Sequence, residues 1–226
     1  MKSTAEIATE FDAIAAALKA APPARHLTAA QRAIVDAIPP AARRGLDVGC
    51  GDGLLARTVA ARGVSMLAID LAPQMIALAR DRTDSRLQIV YQVGDIMTAA
   101  FAPQSFDVVF SVNMVHHLPL RDVLPRLAVL VAPGGRLIIQ DVVTRVGLKH
   151  VPVNVAAALW RRVRHCGRGT MAARTVQLLY DRHGVGETYL TPRRVAQALT
   201  PFLPGVEVTH HLDWRYTAVW NRAPAI

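Results

Sequence analysis

Leu46-Asp47-Val48-Gly49-Cys50-Gly51-Asp52-Gly53 reads as an apolar strand that ends in a glycine turn and enters a helix. Three glycines at alternate positions let the backbone turn sharply and approach a ligand without Cβ clashes. The helix that follows, from about Asp52 to Arg62, directs its unpaired N-terminal N–H groups at whatever occupies that turn. The spacing is Asp47-x-Gly49-x-Gly51-x-Gly53, which differs from the G-x-G-x-x-G of dinucleotide folds. No Lys-Ser/Thr pair follows, so it is not a phosphate-gripping loop either.

Outward from this turn, strand and helix signals alternate. Ile7, Phe11, Ile14 and Leu18 recur in steps of four, three and four, which predicts an amphipathic helix over residues 5–20, stopped by Pro22-Pro23. Thr28 is the N-cap of a second helix running to Ile38, before Pro39-Pro40. Strands are predicted at Gly45–Val48, Ser65–Asp70, Leu87–Val93, Phe106–Val112 and Arg136–Asp141, the fourth apolar enough to be buried on both faces. Pro73 opens a helix through Ala79 and Arg80. Leu120–Val131 is helical, with a break at Pro125, and Pro133-Gly134-Gly135 is a turn. This alternation predicts a doubly wound, mostly parallel sheet. Pro192–Leu199 is a helix. Val206–His211 and Tyr216–Asn221 lie too close together for a helical crossover and must pair as an antiparallel hairpin.

Residues 144–189 break the alternation. Connections this long in a compact domain are usually functional, so they are read as a helical cap inserted over the strand ends. An ordinary long connection with a little helix is the alternative. The organisation expected is one structural domain: an N-terminal helical lid over 1–40, an α/β core over 41–143, the cap, and a helix with hairpin over 190–226 completing the core.

At 226 residues with 52% apolar content, the chain can bury a large core and is not disordered. The longest clean apolar run near the middle, Leu127–Ala132, is far short of a membrane span. No secretory signal is evident, and Cys50 and Cys166 make neither a disulfide framework nor a metal cluster. A cytoplasmic, reducing location is expected. The net charge of +9 admits a nucleic-acid or lipid partner. Only Lys2, Lys19 and Lys149 are lysines, however, and an arginine- and alanine-rich chain also follows from GC-rich coding.

The motifs LDVGCGDG (46–53), the acid Asp70 with LAPQMI behind it, GDI (94–96), FDVVFSVNMVHHL (106–118) and APGGRLII (132–139) together resemble the class I S-adenosylmethionine (SAM) methyltransferases. The resemblance covers roughly residues 44–141 and, more loosely, the terminal hairpin. It implies a seven-stranded Rossmann-like sheet with helices on both faces. It also implies SAM as methyl donor, S-adenosylhomocysteine as product, and no metal. On this resemblance Gly49, Cys50 and Gly51 would hold the methionine part, with Asp47 facing its ammonium group. Asp70, followed by Leu71, suits the ribose hydroxyls. Gly94, Asp95 and Ile96 would meet the adenine, with Met75 packed on its ring. Val112 and Asn113 would line the pocket after the fourth strand. Each also has a structural reading: an aspartate at a strand end can be a helix cap, and Met75 can be core.

A methyl acceptor must lie in line with the S–CH3 bond and, where needed, lose a proton. Asn/Asp-Pro-Pro-aromatic, which grips planar amino groups in related enzymes, is absent after the fourth strand, as is a cysteine nucleophile for pyrimidine C5. Histidine titrates near neutrality, so His117 or His116 is the candidate base, His117 slightly preferred. A structural role for this His-His-Leu-Pro run is the alternative. His116, Trp160, Tyr180, His183 and Tyr189 are candidates for lining an acceptor pocket, as are His150, Asn154, His165 and Glu187. The function expected is methylation of O, N or C of a small molecule, possible in specialised metabolism. The alternative is an RNA or tRNA methyltransferase using Arg161, Arg162, Arg164, Arg168 and Arg174. A lipid or quinone acceptor, or a non-catalytic SAM-binding protein, completes the set.

Overall fold

The computed structural model describes residues 2–23, 27–144, 155, 170–211 and 214–225. Its strands are β1 (Arg44–Val48), β2 (Ser65–Asp70), β3 (Ile89–Val93), β4 (Phe106–Val112), β5 (Val131–Val142), β6 (Glu207–His210) and β7 (Arg215–Asn221). They form one sheet in the order β3-β2-β1-β4-β5-β7-β6. β1 pairs in parallel with both β2 and β4, so the strand order reverses at the end of β1. β7 runs antiparallel between β5 and β6, as the hairpin argument requires. Ligands of such sheets bind at the carboxyl ends of the strands beside that reversal.

Alternate residues of the central strands feed opposite cores. Val109 of β4 and Leu137 and Ile139 of β5 pack with Val123, Leu124 and Leu127 of α5 (Leu120–Leu130) and with Val195 and Leu199 of α7 (Pro192–Leu199). Val108, Phe110 and Ile138 face the other way, onto Ile34 and Val35 of α2 (Ala29–Asp36) and Leu55 and Val59 of α3 (Leu54–Ala60). On that second side Ile76 and Ala79 of α4 (Pro73–Asp81) cover β2. The two-residue period of a strand, buried on both faces, thus produces the near-continuous apolar runs.

The N-terminal helix α1 (Thr4–Ala20) opens with a capping box in which the Ser3 hydroxyl accepts from the Glu6 amide. Thr28 does the same for α2 through Gln31. Ile14 and Ala15 of α1 pack against Ala72, Met75 and Leu78 at the α4 side, with Leu179 of α6 (Met171–His183) closing the seam. Two local expectations need correction. α5 is unbroken at Pro125: the ring lies on the exposed face, and the carbonyl it leaves unpaired is that of exposed Arg121. β5 starts at Val131, because its register shifts between the pairs Phe106–Val131 and Val108–Arg136 and so absorbs the Pro133-Gly134-Gly135 turn.

α3 begins two residues later than its sequence suggests because Gly53 sits in the left-handed region, φ 76°. A Cβ there would lie 2.5 Å from the Tyr91 hydroxyl. That hydroxyl is already committed to Thr83 at 2.9 Å. Gly53→Ala therefore combines backbone strain with a steric clash and is expected to destabilise by about 2–3 kcal/mol. A lowered urea midpoint at unchanged slope checks it.

Candidate active site

At the end of β1 the glycine turn is pinned from one side by β2. The Gly49 and Cys50 amides both donate to the Ile69 carbonyl, at 2.8 and 3.1 Å. The Gly51 amide donates to Asp70 Oδ2 at 2.8 Å, and the Ala72 amide donates to Asp70 Oδ1 at 3.0 Å. One carboxylate thus joins the end of β2, the turn and the entry to α4. At Gly51, φ 53°, a Cβ would meet nothing within 4 Å, so the turn opens onto free space.

That space is a cavity of about 950 Å³. Gly49 and Gly51 border it at the turn, Asp70 and Leu71 beside them, and Gly94, Asp95 and Ile96 after β3. Val112 and Asn113 border it after β4. Met75 also reaches its wall, although its side chain is buried in the α1–α4 seam and is as much core as contact. Asp95 holds its loop by accepting from the Met97 amide at 2.8 Å.

Asp47 and Cys50 are not among the lining residues. Asp47 lies beneath the turn, 2% exposed, and its Oδ2 has no hydrogen-bond partner. The Cys50 thiol packs with Ala56, Ala68 and Ile76 in the core, where burial pushes it far above its ordinary value, so it is an inert, protonated thiol. Any role of Cys50 toward a ligand is confined to its backbone. Burial also raises Asp70, and raises Asp47 strongly, with the neighbouring Asp70 charge adding to the latter.

The histidine pair lies on a 3-10 turn, Val115–His117, directly after β4. Asp141 at the end of β5 grips His116 twice, Oδ2 accepting from its amide at 3.0 Å and Oδ1 lying 2.6 Å from its Nδ1. His117 is turned beneath it, 6% exposed. Its Nε2 is 3.2 Å from Nε2 of His183, and its Nδ1 is 3.5 Å from Glu187 Oε1. His183 in turn places Nδ1 2.5 Å from Glu10 Oε2, and Lys2 bonds both Glu10 oxygens at 3.0 and 2.7 Å. Phe11 stands edge-on to both His183 and His117. Burial, with His116 and His183 adding to it, presses His117 down to about 3. It stays neutral near pH 7, and acidification from its ordinary value toward 3 favours the unfolded chain, which takes up the proton.

Of the acceptor-pocket candidates, His116, His183, Tyr180 and Tyr189 all border the cavity. Burial lifts the Tyr180 phenol to about 12. Trp160 lies outside the described residues, as do His150, Asn154 and His165 and most of the proposed cap. Sequence reasoning missed the carboxylate partners. Asp141 closes a strand just as Asp70 does, a signal of the same kind. Glu10 and Lys2 become partners of His183 only through the packing of α1 against α6.

The residues present fit SAM. Asn113 Oδ1 and Asp47 Oδ2 are buried without partners, and burial raises both acids near the turn, so a ligand carrying cationic and hydrogen-donating groups offsets the cost of burying them. The open Gly51 and the acids Asp70 and Asp95 face the same space.

Comparison with known proteins agrees with this fit. A family described as methyltransferase domain matches residues 46–139. The ubiquinone biosynthesis O-methyltransferase of Xanthomonas euvesicatoria is 41% identical over 103 residues, which cover 44% of this chain and 43% of that protein. The chain thus spans less than half the length of that curated relative. An uncharacterized methyltransferase of Mycobacterium bovis is 39% identical over 137 residues, 58% of this chain and 69% of the relative. In fold, the chain is similar to a Haemonchus contortus phosphoethanolamine N-methyltransferase 2 crystallised with S-adenosyl-L-methionine. The TM-score is 0.62 at 17% identity, over 86% of this chain and 52% of that one. Among the described residues, no helix is long and apolar enough to cross a membrane.

Proposed function

The chain belongs to the class I S-adenosylmethionine-dependent methyltransferases, and we propose that it methylates an oxygen of a small-molecule acceptor bound at the histidine end of the cavity. The observation that carries this reading is the His116–Asp141 pair, 2.6 Å apart, at the wall of the same cavity that the glycine turn and Asp70 enter. SAM, when bound, supplies an electrophilic methyl group. Gly49, Gly51, Asp70 and Asp95 would hold it, with Asn113 accepting from it at the wall and Asp47 acting only from beneath the turn. His116 is the proposed base: Asp141 fixes Nδ1 and leaves Nε2 to take a hydroxyl proton. Phe11, Tyr180 and Tyr189 would give the acceptor an aromatic wall. α1 and α6 form the proposed lid and the described part of the cap.

Oxygen as the attacked atom is supported by the O-methyltransferase relative and by the provision of a base, which an amine acceptor does not require. The cavity volume suits a donor together with a modest acceptor. Of the five arginines behind the RNA reading, Arg174 lies within the described residues. An acceptor screen with isotopically labelled methyl donor, read by mass spectrometry, tests the proposal. Hydroxylated aromatic compounds are expected to gain one labelled methyl on oxygen. Labelling confined to amines or to tRNA refutes it.

A further inference from the structure

We propose that His116, His117 and His183 together form a binding site for a first-row divalent transition-metal ion. One ring nitrogen from each of the three lies within 4.8 Å of the others, and all three side chains border the cavity. The His117 and His183 Nε2 atoms are 3.2 Å apart. Two imidazole nitrogens on a tetrahedral zinc sit roughly 3.3 Å apart, given bonds of about 2.0–2.1 Å. That pair is therefore already at ligand spacing, and a small closing shift of the His116 ring that keeps its Asp141 contact completes the triad.

The outer shell points the same way. A ligating histidine characteristically gives its second ring nitrogen to a carboxylate, which fixes tautomer and orientation. Here each histidine has its own. Nδ1 of His116 is on Asp141 at 2.6 Å, Nδ1 of His183 on Glu10 at 2.5 Å, and Nδ1 of His117 faces Glu187 at 3.5 Å. The Nε2 atoms are thereby turned away from the carboxylates; those of His117 and His183 hydrogen-bond each other at 3.2 Å, a contact that a common ion would replace. One of these outer contacts is incomplete: His117 Nδ1 and Glu187 Oε1 face each other, both buried, and neither has a hydrogen-bond partner. An ion on His117 Nε2 makes its Nδ1–H a stronger donor and draws Glu187 onto it.

Charge balance agrees. Asp141, Glu187 and Glu10 bring three negative charges, the first two with side chains only 2% and 4% exposed. Lys2, on Glu10, returns one. A divalent ion makes the shell neutral. Three neutral imidazoles favour zinc, cobalt, nickel, copper or iron and discriminate against magnesium and calcium, which take oxygen ligands. Three protein ligands leave the fourth position to the cavity. A hydroxyl bound there loses its proton to solvent without a free imidazole, so the ion replaces His116 as the activating group when it is present. This last consequence rests on the methyl-transfer reading; the site itself does not.

The test reads metal and not turnover. The full chain is stripped with chelator, loaded separately with Zn2+, Co2+ and Mg2+, dialysed, and assayed for bound metal, with the visible spectrum recorded for Co2+. One Zn2+ or Co2+ per chain is expected, with intense Co2+ ligand-field bands and no retained Mg2+. His183→Gln should abolish those bands. Glu187→Gln, which leaves all three ligands in place, should weaken affinity about 10–100-fold. Circular dichroism confirms that each variant is folded. Absence of stoichiometric Zn2+ and Co2+, equal retention of Mg2+, or binding unaltered in folded His183→Gln and Glu187→Gln overturns the proposal.

Discussion

Asp70→Ala is expected to weaken SAM binding about a hundredfold or more while the chain still folds. The carboxylate is the joint between β2 and the glycine turn. It accepts the Gly51 amide at 2.8 Å and the Ala72 amide at 3.0 Å, and it borders the cavity where the ribose hydroxyls are proposed to bind. Alanine removes the ribose acceptor and leaves two amides without a partner in a water-poor wall. A hydrogen bond to a charged group is worth about 1.5–3 kcal/mol, and two of them lost on the ligand side come to about 3 kcal/mol at the lower end. At about 1.4 kcal/mol per decade that is two orders of magnitude in Kd. The freed turn adds to the loss, because Gly51 must then be ordered by the ligand itself. Titration calorimetry with S-adenosylhomocysteine, alongside a melting curve, separates affinity from stability. An unchanged Kd in a folded variant removes Asp70 from the ribose site.

The turn that made this prediction possible was legible in the sequence because its physics is local. Glycines at 49, 51 and 53 announce left-handed backbone, and the structure has all three there, at φ 72°, 53° and 76°. The sheet order follows from short β-α connections and from the closeness of the last two strands, so Phe106–Val112 and Ser65–Asp70 matched to the residue. Where tertiary context intervenes, the reading loosens. Pro125 looks like a helix breaker until its ring is found on the solvent face. Met75, read as an adenine contact, borders the cavity but also fills the seam where α1 is laid across α4, which no local pattern announces. The histidine cluster was the least legible part. His116 and His117 stood out as adjacent titratable residues. Nothing in their neighbourhood shows that His183, 66 positions later, ends at 3.2 Å from one of them, or that Glu10 from the first helix holds it there.

That cluster also reverses the sequence preference within the pair, and His116→Ala is expected to lower turnover about 10²–10⁴-fold in chelator-treated protein, with SAM affinity little altered. A base needs a free lone pair near the acceptor, a partner that fixes its tautomer, and the ability to hold a proton near neutral pH. His116 has the Asp141 carboxylate on Nδ1, which fixes its tautomer and leaves Nε2 as the free lone pair. His117 fails the last requirement: its burial and its two histidine neighbours keep it neutral down to about pH 3. His117→Gln should therefore cost less than His116→Ala when both are measured with saturating donor. Asp141→Asn keeps the shape of the contact but replaces the negative charge, and should shift the pH–rate profile as well as lower its plateau. Single-turnover rates distinguish the proton step from product release. A larger loss in His117→Gln than in His116→Ala would place the proton on the buried ring instead. The His183–Glu10 pair would then be its route outward, since His183 Nε2 is the only hydrogen-bonding neighbour of the His117 ring among the described residues.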